Sequence, residues 1–101
     1  MNQAAKIALL KTTYTQDAVG EWIETTSEVN VFAYVSSVSM TEFYQAGLQG
    51  MKPEYRFLIW QTEYEGEETL KYDEKIYTIY RTYIRDDGRL ELYVTLKKGN
   101  E

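Results

Sequence analysis

From Leu90 onward apolar and polar residues alternate: Leu90, Leu92, Val94 and Leu96 fall on one face, Arg89, Glu91, Tyr93, Thr95 and Lys97 on the other. A period of two is the mark of a strand with one buried face. Upstream, KIYTIYRTYIR (75–85) is rich in β-branched and aromatic side chains, and DDG at 86–88 supplies the turn of a hairpin. YDEK (72–75) predicts a tight turn, and Gly66 within YEGEE (64–68) marks another reversal. The segment from Tyr55 onward is therefore expected to be a meander. Within it RFLIWQTEY (56–64) is apolar on both faces, with Phe57 and Ile59 opposite Leu58 and Trp60. Such a strand is either central in its sheet or covered by another subunit.

Residues 5–13 and 29–35 are also strand-like, and the polar stretch YTQDAVGEWIETTSE (14–28) lies between them. It exceeds the usual hairpin connection of about 2 to 5 residues. The expectation is a long, flexible finger with a partial strand at 20–23 and a tip at 15–20, carried by Thr15, Gln16, Asp17, Gly20 and Glu21. The stretch VSSVSMTEFYQAGLQGMKPEYRF (35–57) breaks the strand rhythm. Ser39 precedes Glu42 by three residues, the spacing of a capping box, and Met40, Phe43, Tyr44 and Leu48 share a helical face. Gly47 and Gly50 offer stops, and Pro53 restarts extended chain. The predicted fold is all-β, a small barrel or rolled antiparallel sheet of about five to seven strands, with one short helix near 39–48. Residues 1–101 are read as a single domain.

Composition narrows the chemistry. At 44% hydrophobic and 27% charged residues, the chain has the balance of an ordinary globular protein. It holds no apolar run of about 18 residues, so no helical membrane span is expected, and MNQAAKIALLKTT is read as a first strand rather than a signal peptide. Cysteine is absent, which excludes disulfides and thiolate metal sites and suits a reducing compartment. Histidine is absent too, removing the commonest general base. The sixteen acids invite a carboxylate-pair hydrolase, yet Glu63, Glu65, Glu67, Glu68, Asp73 and Glu74 lie in turns, where solvated charge is ordinary. DDG lacks the spaced ligand series of a calcium loop, and AGLQG matches neither a dinucleotide fingerprint nor a P-loop. No catalytic residue, cofactor or metal is expected. Ten tyrosines and two tryptophans can stack nucleic-acid bases, but a net charge of −5 opposes phosphate capture. Cross-strand pairing and subunit contact account for them better.

One further signal is a likeness. EVNVFAYVSSVSMTEFYQAGLQGMKPEYRFLIW followed by YDEKIYTIYRTYIRDDGRLELYV resembles the head-closure (head-tail joining, stopper) proteins of long-tailed bacteriophages and prophages, over nearly the full chain. It rests on 35–39, on Glu42 to Gly47, on Gly50 and Lys52-Pro53-Glu54, and on Arg81-Thr82-Tyr83 with the 86–93 hairpin. The resemblance implies a non-catalytic β-barrel in the virion neck, assembled in host cytoplasm as a ring of about six or twelve copies. Such a ring lies between a portal or adaptor protein above and a tail-terminator or tail-tube protein below. It seals the DNA-filled head while DNA crosses the lumen without specific binding. Negative charge is compatible with that lumen, because like charges repel until salt screens them beyond about 8 Å. On this reading the ring or partner interface comprises Ser39, Glu42, Phe43, Tyr44, Gly47, Gly50, Lys52, Pro53, Glu54 and Trp60. Two alternatives remain: an OB-like module for single-stranded nucleic acid, and a ring subunit of another tail-like assembly.

Overall fold

The computed structural model describes residues 3–96, so Lys97 of the last alternating run lies outside the described residues. Six strands, β1 (Gln3–Gln16), β2 (Trp22–Ser36), β3 (Tyr55–Trp60), β4 (Thr69–Tyr72), β5 (Lys75–Ile84) and β6 (Arg89–Leu96), close into a barrel of order β1-β2-β3-β6-β5-β4. Every neighbouring pair is antiparallel. A single helix, α1 (Met40–Gly47), interrupts the sheet between β2 and β3, and a 3-10 turn (Gln61–Glu63) follows β3. The all-β barrel with one short helix is the fold that the alternation predicted.

The period-two pattern aims one side chain in two at the axis. Ile7 and Leu9 of β1, Val31, Ala33 and Val35 of β2, Phe57 and Ile59 of β3, Leu70 of β4, Tyr77 of β5 and Leu90, Leu92 and Val94 of β6 form the core. Tyr55 and Tyr72 close one side of it, with Tyr72 edge-on to Phe57 at 5.2 Å between ring centroids. Such edge contacts add about 0.5 to 1.5 kcal/mol beyond the area they bury. Phe57 and Ile59 of β3 point into the core, while Leu58, on the outer face, is buried beside its cross-strand neighbours Tyr34 and Glu91.

The hairpin turns follow their residues. Between β4 and β5, Asp73 (φ 52°) and Glu74 (φ 65°) form a two-residue turn with both φ positive, the twist that antiparallel strands favour. The DDG turn is wider, with Arg85 N–H donating to Arg89 O at 2.8 Å and Gly88 in the left-handed region at φ 84°.

The 14–28 stretch is not a long irregular loop. β1 and β2 pair residue for residue from Gln3↔Val35 to Gln16↔Trp22, so Thr15 and Gln16 belong to a strand and only residues 17–21 form the turn. That turn is built on Asp17, whose carboxylate accepts the N–H groups of Val19 (3.0 Å) and Glu21 (2.9 Å). Gln16 Nε2 donates to Gly20 O at 2.9 Å, and Gly20 takes φ 89°. The finger is there, but Thr15 and Gln16 are strand rather than tip: Trp22, Ile23, Thr25 and Thr26 are good strand formers whose polar neighbours hid them, and no core is needed to pair two β-prone segments across a closed turn. Side chains from Lys11 to Gln16 and from Trp22 to Asn30 are exposed. The ribbon therefore projects from the barrel by roughly 20 Å, six residues at about 3.4 Å each, which contributes to a longest molecular dimension of 51 Å.

Candidate interaction surface

The helix α1 is held to the barrel by its polar side. Ser39 is its N-cap, with extended backbone and a hydroxyl that accepts Glu42 N–H at 3.1 Å. The reciprocal half of a capping box is missing, because the Glu42 carboxylate turns away from Ser39 to bond β5. It accepts the Tyr80 hydroxyl at 2.8 Å and the Arg81 guanidinium, and the Glu42 side chain is only 12% exposed.

Two consecutive residues reach one carboxylate because β5 carries a bulge. The register steps from Ile79↔Val94 to Arg81↔Tyr93, so Tyr80 and Arg81 together oppose a single residue. Arg81 lies over the Tyr93 ring at 4.2 Å, and Tyr93 in turn donates to Glu91 Oε1 at 2.5 Å. Burial, then the Glu42 hydrogen bond, raise the Tyr80 hydroxyl well above the ordinary tyrosine range. Burial acts against the Arg81 charge, but the bond and charge of Glu42 outweigh it and raise its pKa. Tyr93 is also raised, by burial and then by its bond to Glu91.

With Glu42 and Ala46 facing the barrel, the apolar side of α1 faces out. Met40, Tyr44 and Leu48 are 83%, 69% and 67% exposed, and Phe43 is half-exposed. This arrangement inverts the usual amphipathic helix, whose apolar stripe covers a core. Of the two adjacent rings placed at the expected interface, Tyr44 is the more exposed, and Phe43 stays out of the core as well. Glu42, expected at a partner interface, is occupied inside the chain.

Gly47 is the last helical residue and takes no left-handed conformation; Gly50, at φ 79°, carries the reversal. Met51 N–H reaches back to Ala46 O at 2.9 Å, and buried Pro53 leads into extended chain. Thr95 Oγ1 donates to Lys52 O and Glu54 N–H to Val94 O, each at 2.9 Å, so 52–54 is stitched to β6 while the Lys52 and Glu54 side chains remain exposed.

Trp60 is not part of this patch. It ends β3, about 17 Å of strand from Tyr55 at some 3.4 Å per residue, and belongs to a second exposed surface on the outer wall. There Phe32, Tyr34, Leu58, Trp60, Glu63 and Arg89 line a groove of about 550 Å³. The Arg89 guanidinium sits 4.6 Å from the Trp60 ring and 5.5 Å from that of Tyr34. Phe32 is 76% exposed and Trp60 half-exposed. Phe32 and Tyr34 did not figure among the expected site residues, although VFAYV (31–35) is apolar on both faces in the same way as the β3 segment. Tyr80 and Arg81 left no such signal, because a bulge is invisible in strand periodicity.

Among the described residues no helix is long and apolar enough to cross a membrane. No family model matches the chain, and a search of curated proteins finds no match.

Proposed function

We propose that this chain is a non-enzymatic ring subunit of the neck of a tailed phage or prophage particle, closing the filled head and receiving the tail. The observation that carries this reading is the inverted helix: a rigidly anchored α1 presents Met40, Phe43, Tyr44 and Leu48 to solvent. An isolated monomer gains nothing from that orientation, whereas a neighbouring subunit or adaptor that covers it gains about 1.5 to 3 kcal/mol per large apolar side chain. The resemblance supplies the assembly, with a portal or adaptor above, a tail-terminator or tail-tube protein below, and DNA in the lumen.

The test is Tyr44→Ala in a phage or lysogen lacking the wild-type gene. Monomer stability should change by less than about 0.5 kcal/mol, as for an exposed site, while association weakens by about 1 to 4 kcal/mol, as for an aromatic anchor. Filled heads without tails should accumulate. Joining at wild-type yield with Tyr44→Ala combined with Leu48→Ser would refute the assignment of this face.

A second reading has one observation in its favour: Arg89 stacked beside Trp60 and Tyr34 is a platform on which single-stranded bases can stack. Glu63 in the same groove opposes the phosphates. Salt-sensitive oligonucleotide binding abolished by Trp60→Ala would favour this reading over the first.

A further inference from the structure

The β1–β2 ribbon leaves two strand edges open. Beyond Leu10, β1 has no strand partner among the described residues on the side away from β2, because its pairing with β4 covers only Ala8 to Leu10. On the other side β2 meets β3 only through Tyr34, Val35 and Ser36, which leaves its edge from Trp22 to Ala33 unpaired among the described residues. In an antiparallel ladder alternate residues turn their N–H and C=O groups outward, so each edge is a row of backbone donors and acceptors. Natural edges are blunted by proline, bulges or brevity. Here the register is continuous, Pro53 is the chain's sole proline, and the β2 edge carries Ile23, Thr25, Thr26, Val29 and Val31.

We propose that these edges pair between copies of this chain, the β1 edge at 11–16 of one subunit adding to the β2 edge of the next. The occupant is a second copy because one ribbon supplies both complementary edges. Ribbons side by side and pointing the same way present an upward β1 next to a downward β2, which is the antiparallel arrangement. Charge agrees in part: KTTYTQ (11–16) carries no acid and one base, Lys11, which lies 3.5 Å from Glu65 of its own chain in an exposed, screened pair, whereas WIETTSEVN (22–30) carries Glu24 and Glu28 and no base. Because the two joined surfaces differ, the contact is head-to-tail and generates a ring when the rotation closes. The ribbons then form one continuous antiparallel collar. This deepens the ring reading given above and rests on it.

Ring rotation keeps the same ribbon face inward in every copy, so an odd-numbered β1 residue such as Thr13 must oppose an odd-numbered β2 residue. The chain has no native cysteine, which makes disulfide mapping direct. Thr13→Cys protein is mixed under mild oxidation with Ile23→Cys, Thr25→Cys or Ser27→Cys protein in turn, native mass being measured in parallel. A disulfide needs Cα atoms about 4.4 to 6.8 Å apart, whereas like positions on neighbouring ribbons lie two strand spacings, roughly 10 Å, apart. The expected result is a disulfide heterodimer in one of the three mixtures and none for any variant alone. Self-linked single variants would show a two-fold contact and overturn the proposal. Oligomers by native mass without any disulfide would overturn edge pairing and leave the ring reading standing. A monomer at every concentration, with no disulfide, would overturn both.

Discussion

Replacing Glu42 tests whether α1 is a fixed platform. Glu42→Ala removes the acceptor of Tyr80 and the counter-charge of Arg81 at once. A hydrogen bond to a charged acceptor contributes about 1.5 to 3 kcal/mol when its partner is left buried. The Arg81 side chain is 44% exposed, so its ion pair is screened and is credited with only ~0.2 to 1 kcal/mol. Together they predict a loss of about 1.7 to 4 kcal/mol. For a domain of this size each kcal/mol lowers Tm by about 4 to 8 °C, so the variant should melt roughly 7 to 32 °C lower. Glu42→Gln keeps an acceptor for Tyr80 and should lose about half as much.

The cycle of Glu42→Ala, Tyr80→Phe and the double variant isolates the pair. Urea unfolding of the four proteins should give a coupling of about 1 to 2 kcal/mol, since residues sharing a hydrogen bond are not additive. If Glu42→Ala lay within about 0.5 kcal/mol of wild type, or the cycle closed additively, α1 would not be clamped through this carboxylate. The outward stripe would then lose its rigid support.

Two other perturbations follow from the backbone and the tyrosines. Glu74→Gly should stabilise the protein by about 0.5 to 1 kcal/mol in urea unfolding, because a left-handed Glu costs about 1 to 2 kcal/mol and Gly gives back about 0.5 to 1 in chain entropy; a loss would show that the Glu74 side chain makes a favourable contact. Tyr64, Tyr77, Tyr80 and Tyr93 all have raised hydroxyls, chiefly from burial. Their unfolded value is about 10, so the stability they contribute is intact below pH ~10 and is lost as pH rises toward their folded values. Urea midpoints should fall above pH 10, and less steeply in Tyr80→Phe; identical slopes in the two proteins would contradict the role of burial.

The barrel was legible because its core residues obey a two-residue period in β1, β2 and β6, and because DDG, YDEK and Gly66 sit where the chain reverses. The helix was legible from Ser39, from the Met40 to Leu48 spacing and from the glycines after it. Its outward stripe followed only from the resemblance, which put Phe43 and Tyr44 at an interface; periodicity alone marks an apolar stripe as the buried side, and here Glu42 and Ala46 take that side. Deciding this required knowing that Tyr80 and Arg81 converge on Glu42, a consequence of a one-residue bulge with no sequence signature. The finger was expected, but its strand pairing out to Gln16 and Trp22 was not, for the opposite reason. Its strands pair with each other and with no core, so the alternation that reveals the other strands has nothing to encode. Trp60, expected at the same interface as the helix, is exposed at the end of β3 on the outer wall, away from the helix.

On the proposed ring, the surplus apolar surface sets how assembly behaves. Met40, Tyr44 and Leu48 on the helix, Phe32 and Trp60 on the wall and Trp22 on the ribbon are all exposed, and the core closes without them. Burying one such side chain gains about 1.5 to 3 kcal/mol, whereas association costs some 4 to 15 kcal/mol in lost freedom before any contact is credited. The three helix side chains together give about 4.5 to 9 kcal/mol, the lower part of that cost, so one patch alone holds a partner weakly at best. On the proposed ring, helix stripe, outer wall and ribbon edge therefore engage together, and a subunit added at one edge remains weakly held until the ring closes and it gains a second neighbour. Closure makes the last contact intramolecular and so multiplies the effect of any weakened interface. Open intermediates should accordingly be scarce in native mass spectra across a concentration series, with monomer and one closed species dominating. A graded ladder of dimers, trimers and tetramers would mean that one patch suffices alone, and the argument from surplus surface would fail.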